Sequence, residues 1–198
     1  MQTAQINRGL HKKSSCALHR ELFFEHYYNV KESSASTHIC SYSSALRLKP
    51  EGGSNAADAM AAIEKFVFEE EMVTLPQLVE ILKNNWEGNQ VLQMKMINEG
   101  AKFGNGQKEA GNLACEMVNY FVERVEAYNS RYGDLIFSPC IATFSWIVNI
   151  GKRIGASADG RMSKDPIAAN MSPVLSRDVS GPMAALNSYL KLSTDSLE

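Results

Sequence analysis

Four histidines, four cysteines and one Asp-Gly-Arg run are the parts of this 198-residue chain whose residue types could do chemistry. His11, His19, His26 and His38 all fall in the first 38 residues. Zinc and similar ions select short, recurring ligand spacings, which this set lacks, so it reads as a solvated segment and no metal ligand is assigned. Cys16, Cys40, Cys115 and Cys140 are widely spaced and include no Cys-x-x-Cys; a chain of this size needs no disulfide framework. Cys115 precedes Glu116, but both lie in a strongly helical run with no glycine turn before them. Cys115 and Cys140 therefore read as small buried hydrophobes, and no catalytic residue is assigned. Asp159, Gly160 and Arg161 close a glycine-rich run over 151–160 and could serve acid–base work or anion binding. In a turn, an aspartate more commonly satisfies backbone N–H groups and an arginine forms a structural ion pair, which is the role expected here.

Composition bounds the frame that must position these residues. The chain is 44% hydrophobic and 21% charged, too apolar for disorder and long enough for one domain with a core. A formal net charge of −2 and a pI near 6.1 supply no electrostatic pull toward nucleic acid or an anionic membrane. No run approaches the roughly 20 apolar residues of a membrane span; the most apolar, 135–150, is broken by Ser138, Pro139, Thr143, Ser145 and Asn149. No apolar region follows the basic patch at 8–13, so no secretory signal is read and the cytoplasm is the default compartment.

The residues are unevenly distributed. All six prolines lie at Pro50 or later, and Gly9 alone of 13 glycines precedes Gly52. The first 50 residues are serine-rich and show little periodicity, so 1–50 is expected to be poorly structured and 51–198 to form the folded part. Ser54 or Asn55 can cap a helix running to about Glu70 through Ala59, Ile63, Phe66 and Val67. Thr74-Leu75-Pro76-Gln77 has the form of a capping box with proline in the first turn. A short helix over 90–99 stops at Gly100, and 103–106 is a turn-rich loop. Leu113, Met117, Tyr120, Phe121, Arg124, Val125 and Tyr128 form one stripe of a long helix. The β-branched and aromatic run 137–150 reads as a strand apolar on both faces, and Ser180-Gly181-Pro182 opens a last helix. The class is α/β, mostly helical with one or a few buried strands, too few to close a sheet.

Several blocks then resemble one family. Gly155-Ala156-Ser157-Ala158-Asp159-Gly160-Arg161 resembles the Gly-Ala-Thr-Pro-Asp-Gly-Arg turn of the glycyl radical enzymes, the pyruvate formate-lyase family with its diol dehydratase and choline lyase relatives. Pro166-Ile167-Ala168, Met171-Ser172-Pro173, Arg177-Asp178 and Gly181-Pro182 continue the pattern in order. Upstream, the run from Asn55 through Asp58 to Ile63 resembles a family helix, and Asn98 to Asn105 resembles its Pro-Lys-Tyr-Gly-Asn loop. Ser157 and Ala158 depart from Thr-Pro, which bears on subfamily; Gly155-Ala156 leans to the dehydratase-like branch over the formate lyases. Asp159, Gly160, Arg161, Ser172, Pro173, Arg177 and Asp178 are taken as the structural motif.

The resemblance implies part of a ten-stranded α/β barrel in which a glycyl radical, installed by an iron–sulfur activase using S-adenosylmethionine, is passed to a cysteine that attacks a small-molecule substrate. Neither the Arg-Val-x-Gly-Tyr loop nor the Gly-Cys-x-Glu loop of that chemistry occurs in these 198 residues, so the chain by itself is expected to be inactive and to bind no cofactor. The resemblance makes 141–149 a strand lining the substrate cavity; alternation turns either Ile141, Thr143 and Ser145 or Ala142, Phe144 and Trp146 inward, and Thr143 and Ser145 are the candidate substrate contacts. The first reading is a fragment of a radical lyase or dehydratase, partnered by the rest of a split enzyme or by further copies. The alternative is a non-catalytic module that docks to a larger barrel protein.

Overall fold

The computed structural model describes residues 45–48, 50–132, 136–140 and 146–192. Helix α1 spans Gly53–Ile63 and is rich in alanine, the strongest helix former. Its start differs from the expectation: Gly52, in the left-handed region at φ 74°, is the residue before the first turn, and no side chain caps it. Ser54 and Asn55 lie inside the helix and are buried. Glu64–Glu69 continues α1 as a wider π-type turn that buries Phe66 and Val67.

Helix α2, Leu75–Lys83, begins with the capping box read from the sequence. Thr74 Oγ1 accepts from the Gln77 amide at 3.4 Å, and Gln77 Oε1 accepts from the Thr74 amide at 2.9 Å. After α2 the chain turns through two left-handed residues, Asn85 at φ 53° and Trp86 at φ 65°. This conformation is rare for a bulky residue and costs on the order of 1–3 kcal/mol. It drives the Trp86 ring into the interior, where 1% of the residue remains exposed.

Helix α3 is Gln90–Glu99, and the long helix α4 is Lys108–Tyr132. The buried stripe of α4 is rotated from the expected one. Ala110, Leu113, Ala114, Val118, Phe121, Val122 and Val125 face inward, whereas Arg124 and Tyr128 are exposed. Large residues drew the sequence reading, but the alanine-rich α1 packs closely on the small ones.

Strand β1, Ala45–Leu48, pairs in parallel with β2, Ile136–Pro139, with Ala45 opposite Ile136 and Leu48 opposite Pro139. Parallel pairing demands a long crossover, and α1 to α4 supply it. The expected strand over 137–150 is corrected: β2 stops at Pro139, which has no N–H for a ladder, and Ile147–Gly151 forms helix α5. A short apolar run lacks the periodicity that would separate a strand from a helix. Thr143 and Ser145 lie outside the described residues. Helix α6, Pro182–Leu190, begins after Gly181 as expected.

Two apolar clusters share α1. Ala57 and Ala61 pack with Phe103, Leu113, Val118, Met171 and Leu192. Ala62 and Phe66 pack with Val73, Leu78, Trp86, Met96 and Ala158. Trp86→Ala should lower unfolding free energy by about 3–5 kcal/mol in a denaturant titration. Val91→Ala, at a residue 86% exposed, should stay within about 0.5 kcal/mol of the parent.

Candidate functional site

The turn around Asp159 is built from its own backbone first. The Ser157 amide donates to the Arg161 carbonyl at 3.1 Å, and the Gly160 amide donates to the Ser157 carbonyl at 3.0 Å. Gly160 has φ 92°, and a Cβ there would overlap the Ile97 side chain of α3. Only glycine meets both demands. Asp159 Oδ1 accepts from Ser157 Oγ at 2.5 Å and from the Arg161 amide at 3.3 Å. Arg161 is spent on carbonyls: it donates to Met162 O at 3.0 Å, to Asp165 O at 2.9 Å and to Gly155 O, with Nε on Ser157 Oγ at 3.2 Å. Its role is to satisfy carbonyls in place of the expected ion pair, and burial lowers its pKa against the charges of Asp159 and Asp165.

Three distant elements fasten this turn. Asn55 of α1 donates Nδ2 to Asp159 Oδ2 at 2.6 Å, and its Oδ1 accepts from the Ala168 amide at 2.7 Å. Gln93 of α3 donates to the Gly160 carbonyl at 2.9 Å. Trp86 Nε1 reaches the Arg161 carbonyl at 3.3 Å, so the left-handed turn after α2 positions one end of this lock.

One turn along α1, Asp58 is fully buried, and its Oδ1 accepts from the Phe103 amide at 2.6 Å. Lys102, beside it on the loop, donates Nζ to Met96 O at 2.8 Å and Gly100 O at 3.2 Å. Burial pushes the Asp58 carboxyl well above the usual range, opposed by the Phe103 N–H and the Lys102 charge. Burial likewise lowers Lys102, opposed by Asp58 and Asp159. Asn105 ends this loop with both halves of its amide engaged: Nδ2 donates to Arg177 O at 2.7 Å, and Oδ1 accepts from the Val179 and Ser180 amides at 2.9 and 3.0 Å.

Blocks more than 100 residues apart in sequence thus meet as one buried polar lock. Asp159, Gly160 and Arg161 form its centre. Pro173 lies against Gly104, where a Cβ would overlap the proline ring. The amide of Ser172 donates to Ala169 O at 2.9 Å, while the Ser172 side chain is exposed. Arg177 enters through its carbonyl, and Asp178 is exposed. Asn55, Asp58, Lys102 and Asn105 carry more of the lock than Ser172 or Asp178; for Asn55 and Asp58, polarity within an alanine-rich run was the available signal.

The arrangement has no nucleophile beside a base. Cys115 Sγ lies 3.3 Å from the Lys191 carbonyl, and burial pushes its thiol up, away from thiolate. Cys140 is buried. Among the described residues no three His, Cys, Asp or Glu side chains group as a metal site, and no helix is long and apolar enough to cross a membrane. A shallow groove between α2 and α3, lined by Met72, Val73, Pro76, Ile81 and Leu92, shares no residue with the lock.

Two substitutions probe these contacts. Asn55→Ala leaves Asp159 Oδ2 and the Ala168 amide without that partner, and should cost about 2–4 kcal/mol in unfolding free energy. Asp58 tests the sign of the burial effect. Its raised pKa means that its contribution to stability is complete below about pH 3.9, the unfolded-chain value, and is lost as pH rises through the folded value. Asp58→Asn keeps an acceptor for Phe103 and removes that loss. Its stability relative to the parent should therefore improve as pH rises above about 4 toward the raised folded value; a relative stability that does not change as pH rises would refute the assignment.

The geometry has counterparts in known proteins. The family model described as pyruvate formate lyase-like matches residues 38–151. The isethionate sulfite-lyase of Oleidesulfovibrio alaskensis is 31% identical over 140 residues, which are 69% of this chain and 16% of that protein. The glycerol-bound B12-independent glycerol dehydratase of Clostridium butyricum superimposes with a TM-score of 0.67 at 35% identity, covering 74% of this chain and 19% of that one. A glycyl radical enzyme from Archaeoglobus fulgidus shares the fold, with a TM-score of 0.69 at 23% identity over 76% of this chain. The chain thus spans under a fifth of the length of these two better-matched relatives. With more than half of its residues inside the family match, the chain belongs to the pyruvate formate lyase-like family of glycyl radical enzymes.

Proposed function

We propose that this chain is a scaffold portion of a glycyl radical lyase or dehydratase, an enzyme that when complete cleaves C–C, C–O or C–N bonds of a small substrate. One observation carries the reading: the blocks at 55–58, 100–105, 155–161 and 166–173 close on one another as the buried lock, in a fold shared with a glycerol dehydratase at 35% identity. In this reading the lock holds a segment of a ten-stranded barrel wall. The glycyl radical and its S-adenosylmethionine-dependent activase belong to the complete system, and Thr143 and Ser145 are the substrate contacts this portion contributes.

Exposed apolar side chains support a larger assembly. Leu175, Val179, Met183 and Leu190 are 65–86% exposed, and Met183, Leu186 and Leu190 share one face of α6. A soluble domain seldom leaves such a stripe uncovered, and parallel strands such as β1 and β2 are ordinarily covered on both faces.

A complementation experiment tests the proposal. A related dehydratase lacking the matching segment is co-expressed with this chain and its activase, under exclusion of oxygen. The glycyl radical signal and substrate turnover should appear with the chain and be absent without it. If the chain binds only the intact dehydratase and never restores the deleted one, the scaffold reading fails in favour of a docking module.

A further inference from the structure

The lock holds three polar groups whose capacity its direct hydrogen bonds do not use up. Ser54 is fully buried, and its Oγ has no partner among the described residues. Asp58, equally buried, leaves Oδ2 in the same condition. Lys102 places two of the three ammonium protons on Met96 O and Gly100 O, and no carboxylate among the described residues takes the third.

These groups share one seam. Ser54 and Asp58 are four residues apart on α1, hence neighbours on one face of the helix. Asp58 Oδ1 is fixed to the Phe103 amide, and Lys102 is the residue before Phe103. The seam between α1 and the 100–105 loop therefore brings together a hydroxyl, a carboxyl oxygen and an ammonium N–H.

Each orphaned buried group costs about 1–3 kcal/mol, and buried polar atoms in folded proteins are regularly satisfied by protein or by ordered water. The occupant must accept from Lys102, bond Ser54 in either sense and meet Asp58 whether that carboxyl is ionised or protonated. A metal cation is disfavoured by the adjoining ammonium and by Arg177, which acts on the same pair. An anion is disfavoured by Asp58 and Asp159. A neutral molecule with two donors and two acceptors fits all three partners, within the two to four that an internal water requires.

We propose that Ser54, Asp58 and Lys102 together hold one internal water molecule, which bridges the carboxyl and the ammonium across the seam. The bridge fastens α1 to the loop beside the direct hydrogen bond from the Phe103 amide to Asp58. It is a property of the lock itself and does not depend on the assembly in which the chain works.

A high-resolution crystal structure of the full chain, in whatever assembly it purifies, is the direct test. A single solvent peak should lie within hydrogen-bond distance, about 2.7–3.2 Å, of Ser54 Oγ, Asp58 Oδ2 and Lys102 Nζ. Direct bonding of Asp58 Oδ2 to Lys102 or Ser54, with no solvent between them, overturns the proposal. In solution, water-oxygen relaxation dispersion should show one fewer long-lived internal water in Ser54→Val, which removes the hydroxyl and fills its space. Ser54→Thr, which keeps the hydroxyl, should retain that water. An unchanged number in a folded Ser54→Val also overturns the proposal; if that variant does not fold, the crystal structure decides alone.

Discussion

The hydrogen bond from Asn55 to Asp159 joins residues 104 positions apart, and much of the described structure depends on it. Asp159 is the acceptor around which the 155–161 turn closes, and Asn55 also takes the Ala168 amide. One amide side chain thereby holds a turn and an extended segment against the first helix. Because Asn55 lies inside α1 and not at its cap, the helix contributes a rigid polar rib to the interior.

That rib explains how α1 can separate two apolar clusters. Its alanines permit close approach on both sides, while Asn55 and Asp58 meet the loops that cross its ends. The glycines opposite are required by contact: Gly160 under Ile97 and Gly104 under Pro173 leave no room for a Cβ. The left-handed Trp86 adds strain that its burial and its bond to Arg161 O offset. A buried polar network of this kind specifies one arrangement more sharply than apolar packing alone.

Such a lock spends its hydrogen bonds on its own backbone and side chains. Its carboxylates and cations are committed to amides and carbonyls, and neither described cysteine lies beside a base. The described polar residues hold the fold together. That accords with a chain that matches under a fifth of its better-matched relatives yet keeps their fold over three quarters of its own length.

Local signals were legible wherever they are self-contained. The capping box at Thr74, the glycine stop after α3, the proline-started α6 and the Asp-Gly-Arg turn need only near neighbours, and the sequence shows them. Ordered motif blocks likewise carried the family. The sequence did not reveal β1, four residues too short for a pattern, or the end of β2 at Pro139 followed by helix α5. Nor did it show that Asn55 and Asp58 face inward, or which side of α4 is buried. Those outcomes are decided by which groups meet from distant parts of the chain, and a buried amide or carboxyl is tolerable only where such a partner arrives. By itself the sequence determined the helices other than α5, the turn chemistry and the family; the tertiary structure alone decided the partners of the polar residues, because burial makes each of them answer to a group it cannot reach along the chain.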